Sequence, residues 1–144
     1  MKLQRILVPT DFSAAAHAAL DFATILARDT GAKLVIVYVQ PPEVLFGADD
    51  VYANVYPREE DTLREMLSRV HPKDEKIPHE HHFLLGDPSH EIVAFAVAQH
   101  ADLIVLGSHG RTGLSRMLMG SVAESVIRHA SCPVLTVKNP PASE

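Results

Sequence analysis

Residues Leu34-Val35-Ile36-Val37-Tyr38-Val39 form an almost unbroken apolar run, closed by Pro41-Pro42. The run has no alternation of apolar and polar positions, so a strand built from it has no face to offer water. Such a strand belongs inside a parallel sheet covered by helices on both sides. Strand one, Lys2 to Pro9, carries Ile6-Leu7-Val8; strand four is Leu103 to Leu106, cut off by Gly107. Strand five is Pro133 to Lys138, with Val134-Leu135-Thr136-Val137 apolar and β-favouring.

Helical spacing fills the intervals. Ala14 to Arg28 repeats Ala15, Ala18, Ala19, Phe22, Ile25 and Leu26, with Ser13 as N-cap and Gly31 as stop. So many alanines imply a helix lying close on the sheet. Pro57 to His71 carries Leu63, Met66, Leu67 and Val70. Asp87 as N-cap and Pro88 as first residue open a third helix bearing Ile92, Val93, Phe95, Ala96 and Ala98. Ser121 to His129 is the last helix, with Arg128 and His129 suiting its negative end. Strand–helix alternation predicts an α/β fold with right-handed crossovers. A chain of 144 residues predicts a single domain over 1–144, with 139–144 a frayed tail.

Two segments do not declare themselves. Glu43 to Tyr56 has Phe46, Tyr52 and Tyr56 but no clear period. It is long for a connection and is expected to be a mobile flap. His79 to Leu85, H-E-H-H-F-L-L, invites a metal. On a strand, however, His79 and His81 face one way and Glu80 and His82 the other, so four ligands do not converge. The segment reads as the polar end of an edge strand, and no metal ligand is assigned.

Net charge is −5, which opposes a general nucleic-acid binder. Cys132 alone excludes an internal disulfide and fits a reducing compartment. Neither a signal-peptide core nor a membrane-length apolar stretch is found, so a soluble, cytoplasmic protein without membrane insertion is expected.

The chemistry concentrates in G-S-H-G-R-T-G-L-S-R-M-L-M-G-S, Gly107 to Ser121, which holds four of the seven glycines. A glycine-rich loop between a strand and a helix lets backbone N–H groups approach an anion, and the helix N-terminus adds its own. Other phosphate signatures, G-x-x-x-x-G-K-[ST] and G-x-G-x-x-G, are absent.

Gly107-x-x-Gly110, nine residues, then Gly120-Ser121 resembles the nucleotide-binding signature of the universal stress protein family. Ile6-Leu7-Val8-Pro9-Thr10-Asp11-Phe12-Ser13 resembles that family's first strand and acidic turn, and Cys132 to Val137 its last strand. The resemblance runs from about Lys2 to Lys138 and falls with the ATP-binding branch. It implies an open five-stranded parallel sheet in order 3-2-1-4-5 with helices on both faces, Rossmann-like and similar to the adenine nucleotide alpha hydrolases. Ligands of such sheets bind outside the carboxyl ends of strands at the switch point, here between strands one and four.

Carried over residue by residue, the resemblance implies that Pro9, Thr10 and Asp11 flank the adenosine. Asp11 would accept from ribose or adenine, unless it merely caps the first helix. Val39 would meet adenine through its backbone and apolar surface. Gly107 and Gly110 would let the loop close on ribose and phosphates. Gly120, Ser121 and Val122 would offer N–H groups, and Ser121 its hydroxyl, to phosphate; Ser121 as a plain N-cap is the simpler role. Arg111, Arg116 and His109 stay unassigned.

The expected function is an ATP-binding regulatory protein, with Mg2+ on the phosphates and an unknown protein partner that reads the occupied state. A slow ATPase or phosphotransferase is the alternative. No catalytic residue is assigned, because Asp11 is the one acid placed near the site and the loop has no lysine. A scaffold with an empty site is the third reading. The resemblance also implies a homodimer through the fifth strand, an edge strand with an apolar sequence.

Overall fold

The computed structural model describes residues 2–42, 50–109 and 119–138, with 50–58 as backbone only. Its elements are β1 (Arg5–Pro9), α1 (Ala14–Thr30), β2 (Lys33–Gln40), α2 (Asp50–Ser68), β3 (His79–Leu85), α3 (Pro88–Ala98), β4 (Leu103–Gly107), α4 (Ser121–His129) and β5 (Val134–Val137). The strands form one five-stranded sheet in the order β3-β2-β1-β4-β5, every pairing parallel. This is the expected fold class and order.

The apolar run of β2 feeds two cores. Leu34, Ile36 and Tyr38 join Ile6, Val8 and Val105 beneath α1 and α2. Val35, Val37 and Val39 join Leu7, Ile104 and Leu106 beneath α3 and α4. Burying such a side chain contributes about 1.5–3 kcal/mol, and a polar residue at any of these positions would forfeit it.

Helix α1 starts and stops as its caps dictate. Ser13 Oγ accepts from Ala16 N at 3.2 Å, and Gly31, at φ 80, donates to Ala27 O at 2.8 Å. Its buried face differs from the expected one. Ala15, Ala16, Ala19, Leu20, Ala23, Thr24 and Ala27 are buried, whereas Phe22 and Ile25 are 42% and 48% exposed. Alanines make up most of that face, and where α1 passes Gly107 it lies too close to the sheet for a large side chain. A Cβ added at Gly107 would sit 2.8 Å from Ala15 Cβ and 2.9 Å from Ala15 backbone atoms. Gly107 is thus required by helix-on-strand packing.

Helix α2 begins at Asp50, not at Pro57. A proline deletes one N–H and crowds one carbonyl, but regular turns on both sides can carry it, and no glycine or second proline lies between Asp50 and Tyr56. The expected flap therefore loses its second half to helix. Residues 43–49, Gly110, Arg111, Arg116 and the tail 139–144 lie outside the described residues.

β3 is an edge strand, and its polar residues are partnered. His81 Nε2 donates to Val70 O at 2.6 Å, and His79 Nδ1 to Ile77 O at 3.1 Å. A carbonyl only accepts, so each of these nitrogens carries a proton. On the other face Glu80 joins the Lys33 ammonium to His82 Nε2. The Lys33 hydrogen bond first, then that of His82, holds the Glu80 carboxyl down at about 2. Among the described residues no three His, Cys, Asp or Glu side chains are grouped to hold a metal ion. Among the same residues, no helix is long and apolar enough to cross a membrane.

Candidate functional site

The sheet's carboxyl edge opens where β1 and β4 part. Pairing of β1 with β2 ends at Pro9↔Val37, followed by Thr10 N donating to Val37 O at 2.8 Å. The chain then turns sharply away. Thr10, itself buried, accepts on Oγ1 from Phe12 N at 3.1 Å, and Asp11 Oδ1 accepts from Ser13 N at 3.0 Å. Phe12 takes φ 67, a conformation that costs a bulky residue about 1–3 kcal/mol. Its ring packs 4.9 Å from Tyr38, which holds the turn in place.

This departure uncovers β2. In a strand, main-chain groups two residues apart point the same way. Val39 N–H and C=O therefore point as those of Val37 do, toward a β1 that has already left the sheet.

On the far side, Ser108 N donates to Val137 O at 3.0 Å, and Gly120 N to Ser108 O at 2.6 Å. These bonds bring the start of α4 beside the end of β4. The N-cap of α4 is Gly120, at φ −65 and ψ 154, a residue with no side chain to cap the helix. Ser121 is accordingly the first helical residue, so the simpler reading of it as a plain N-cap does not hold. Gly120 O accepts from Glu124 N at 3.0 Å. The N–H groups of Ser121, Val122 and Ala123 precede that first helical bond. They make the helix's positive end, where an anion is favoured.

A cleft of about 530 Å³ joins these features. Pro9, Thr10, Asp11, Val39, Gly107, Gly120, Ser121 and Val122 all line it, so the structure brings together every described member of the expected set. Gly110 lies outside the described residues. Gly120 has negative φ, so its contribution is the missing side chain and not a left-handed backbone. Asp11 does make the turn bond that the simpler reading demands, with one of its two carboxylate oxygens.

Several lining residues escaped the sequence. Gln40, 2% exposed, and Ser108, 4% exposed, are buried polar residues in the wall. Gln40 Oε1 and His109 Nε2 are buried without a hydrogen-bond partner. His109 Nδ1 lies 3.2 Å from Ser108 Oγ. No sequence signal marked Gln40, which closes the apolar run as any polar strand end would. No Lys or Arg lines the cleft among the described residues, so an anion there would meet backbone N–H groups.

The model of the universal stress protein family matches residues 2–138. Universal stress protein MJ0531 of Methanocaldococcus jannaschii is 38% identical over 141 residues, 95% of this chain and 83% of the relative. The structure of MJ0577 from the same organism superposes with a TM-score of 0.85 at 27% identity, covering 99% of this chain and 100% of the other. A universal stress protein of Archaeoglobus fulgidus, solved in complex with dAMP, gives a TM-score of 0.64 at 30% identity, covering 96% and 100%.

Proposed function

The chain belongs to the universal stress protein family, and we propose that it is an ATP-binding, nucleotide-responsive regulator within it. The observation that carries this reading is the uncapped N-terminus of α4 opening on the same cleft as Asp11 and the uncovered main chain of Val39. Such a cleft offers one end to a flat base and the other to an anion. The Archaeoglobus fulgidus relative, solved with dAMP, supports an adenine nucleotide as the ligand class.

In this reading adenine lies against Val39, flanked by Pro9 and Thr10, and Asp11 accepts from the ribose. Phosphate oxygens take the N–H groups of Ser121 and Val122 and the Ser121 hydroxyl, with Gly107, Gly110 and Gly120 leaving room for the backbone to approach. Mg2+ rides on the phosphates and offsets their charge. Without a lysine or arginine in the described wall, charge developing in phosphoryl transfer has little to stabilise it, so the site holds ATP and does not turn it over rapidly. Residues 1–144 act as one cytoplasmic domain, and a protein partner reads the occupied state.

Mass analysis of nucleotide released from freshly purified protein, followed by calorimetric titration with Mg2+ and ATP, tests the reading. Released or titratable ATP supports it. Release of ADP alone favours a hydrolase, and an empty protein that fails titration favours a scaffold.

The same reading includes a homodimer through β5. That strand is a sheet edge, and its four residues are only half-buried. Leu135 and Val137 pack on the α1 side, where Phe22 and Ile25 stand exposed. Sedimentation at micromolar concentration should give the dimer mass, and a single monomer-mass species would refute it.

A further inference from the structure

Among the described residues, the buried side-chain polar atoms without a hydrogen-bond partner are Gln40 Oε1 and His109 Nε2, and both residues line the cleft. Each such atom in a native fold needs an explanation, and a ligand is one. The two differ in what they say about that ligand. An amide can turn over and present either its oxygen or its NH2, so Gln40 selects nothing by itself. The His109 ring is held. Its Nδ1 lies 3.2 Å from Ser108 Oγ, and turning the ring over would give up that contact. With Nδ1 carrying the proton and donating to Ser108 Oγ, Nε2 keeps a lone pair. A lone pair repels a phosphate oxygen and attracts a cation.

The position is as informative as the missing bond. Ser108 O accepts from Gly120 N at 2.6 Å, so His109 follows a residue that is tied to the N-cap of α4. In the nucleotide reading the phosphates gather at that helix end. The described wall brings no Lys or Arg to meet them, so a divalent cation has to offset their charge. Among the described residues no three His, Cys, Asp or Glu side chains are grouped to hold a metal ion, so the chain is not expected to hold one unaided. A cation carried by a nucleotide brings phosphate oxygens and water with it and takes only one or two ligands from the protein. An imidazole nitrogen is readied for a metal when the other ring nitrogen donates to a fixed acceptor. Ser108 Oγ is such an acceptor for His109.

We propose that His109 Nε2 ligates the divalent cation carried by the phosphates, and that the occupied site thereby prefers Co2+ to Mg2+. This rests on the nucleotide reading given above and makes the cation part of recognition. Mg2+ favours oxygen ligands and gains little from an imidazole, whereas Co2+ binds imidazole nitrogen well. Of the described residues lining the cleft, His109 alone has a ring nitrogen to offer.

The test is calorimetric titration of wild type, His109→Asn and His109→Phe with ATP, in excess Mg2+ or in excess Co2+. Each cation is present in cell and syringe, so its own affinity for ATP and for other histidines drops out. Asparagine keeps a donor for Ser108 Oγ and removes Nε2; phenylalanine keeps the ring and removes both nitrogens. Wild type should bind ATP about tenfold or more tightly with Co2+ than with Mg2+, about 1.4 kcal/mol. In the variants the ratio should fall to within about threefold, through weaker binding with Co2+. The visible absorption of Co2+ gives a second readout. Adding ATP to wild type in Co2+ should move the band to shorter wavelength than the same ATP does in buffer, as nitrogen replaces an oxygen ligand. The variants should lack that shift, and should neither fold, its absence from wild type still overturns the proposal. Equal binding with the two cations by wild type overturns it too. So does a ratio preserved in a folded variant, which would place His109 against phosphate or ribose instead. These outcomes leave nucleotide binding standing. Failure of wild type to bind ATP with either cation overturns the nucleotide reading itself, and this role with it.

Discussion

The edge strand β3 and the cleft at the carboxyl ends of β1, β2 and β4 are both polar places in an apolar sheet, and they handle polarity in opposite ways. On β3, His79, His81, His82 and Glu80 crowd together, and each has a partner within the fold. In the cleft, among the described residues, Gln40 Oε1 and His109 Nε2 are left without a partner, and the N-cap of α4 is a glycine with no side chain to close the helix end. A saturated network stabilises the chain that makes it. An incomplete one costs stability and is completed from outside. Chemical-looking residues are therefore a poorer guide to a site than unfinished hydrogen bonding.

Substitutions can break this contrast. The largest effect belongs to Gly107, where cleft wall and helix packing coincide. Gly107→Ala drives a methyl group against Ala15, including backbone atoms 2.9 Å away. Urea denaturation should show a loss of about 1–3 kcal/mol; a variant as stable as wild type would mean that α1 is free to shift. Next comes Gly120→Val, which sets a branched side chain before the uncapped end of α4. Affinity for ATP should fall about tenfold or more, roughly 1.4 kcal/mol, while the folded state keeps most of its stability. Unchanged affinity in a folded variant would separate that helix end from the ligand.

Variants on β3 should behave the other way. His81→Phe leaves Val70 O without its donor, and stability should drop by about 1 kcal/mol with ATP affinity untouched. A change in affinity would erase the distinction between the two regions. The smallest effect is that of Glu80→Gln, under about 1 kcal/mol because the ion pairs are partly open to solvent. The folded carboxyl titrates at about 2, below the ordinary value of 4.5, so folding favours its charged form. That stabilisation is fully present above the ordinary value and is lost as pH falls toward 2. The stability gap between wild type and Glu80→Gln should close over this interval; a gap that widens instead would reverse the assignment.

Much of the architecture was legible because local chemistry decides it. The unbroken run Leu34–Val39 demanded cover on both faces. Ser13, Gly31, Asp87 and Pro88 mark their helix ends through their own side chains or backbone freedom. The misreadings arose where distance or neighbours decide. Pro57 looks like a beginning, yet α2 runs through it. Phe22 and Ile25 look like core, but α1, seated close on β4, buries a face made mostly of alanines, with Leu20 and Thr24. The residues that line the cleft were legible as a motif from Pro9 to Asp11 and from Gly107 to Val122. Gln40 was not, since a missing partner is a property of everything around it and is written in no single stretch of chain.

The contact between Gly107 and Ala15 has a bearing on how such sequences drift. Because the obstruction includes Ala15 backbone, no change of side chain at position 15 can make room for a larger residue at 107. A descendant that ceased to hold any ligand would still be obliged to keep this glycine, whereas Gly120, which has negative φ, would be at liberty to change. The two glycines would then decay at different rates. A chain carrying the first without the second would be a fossil of the fold, and no witness to the ligand.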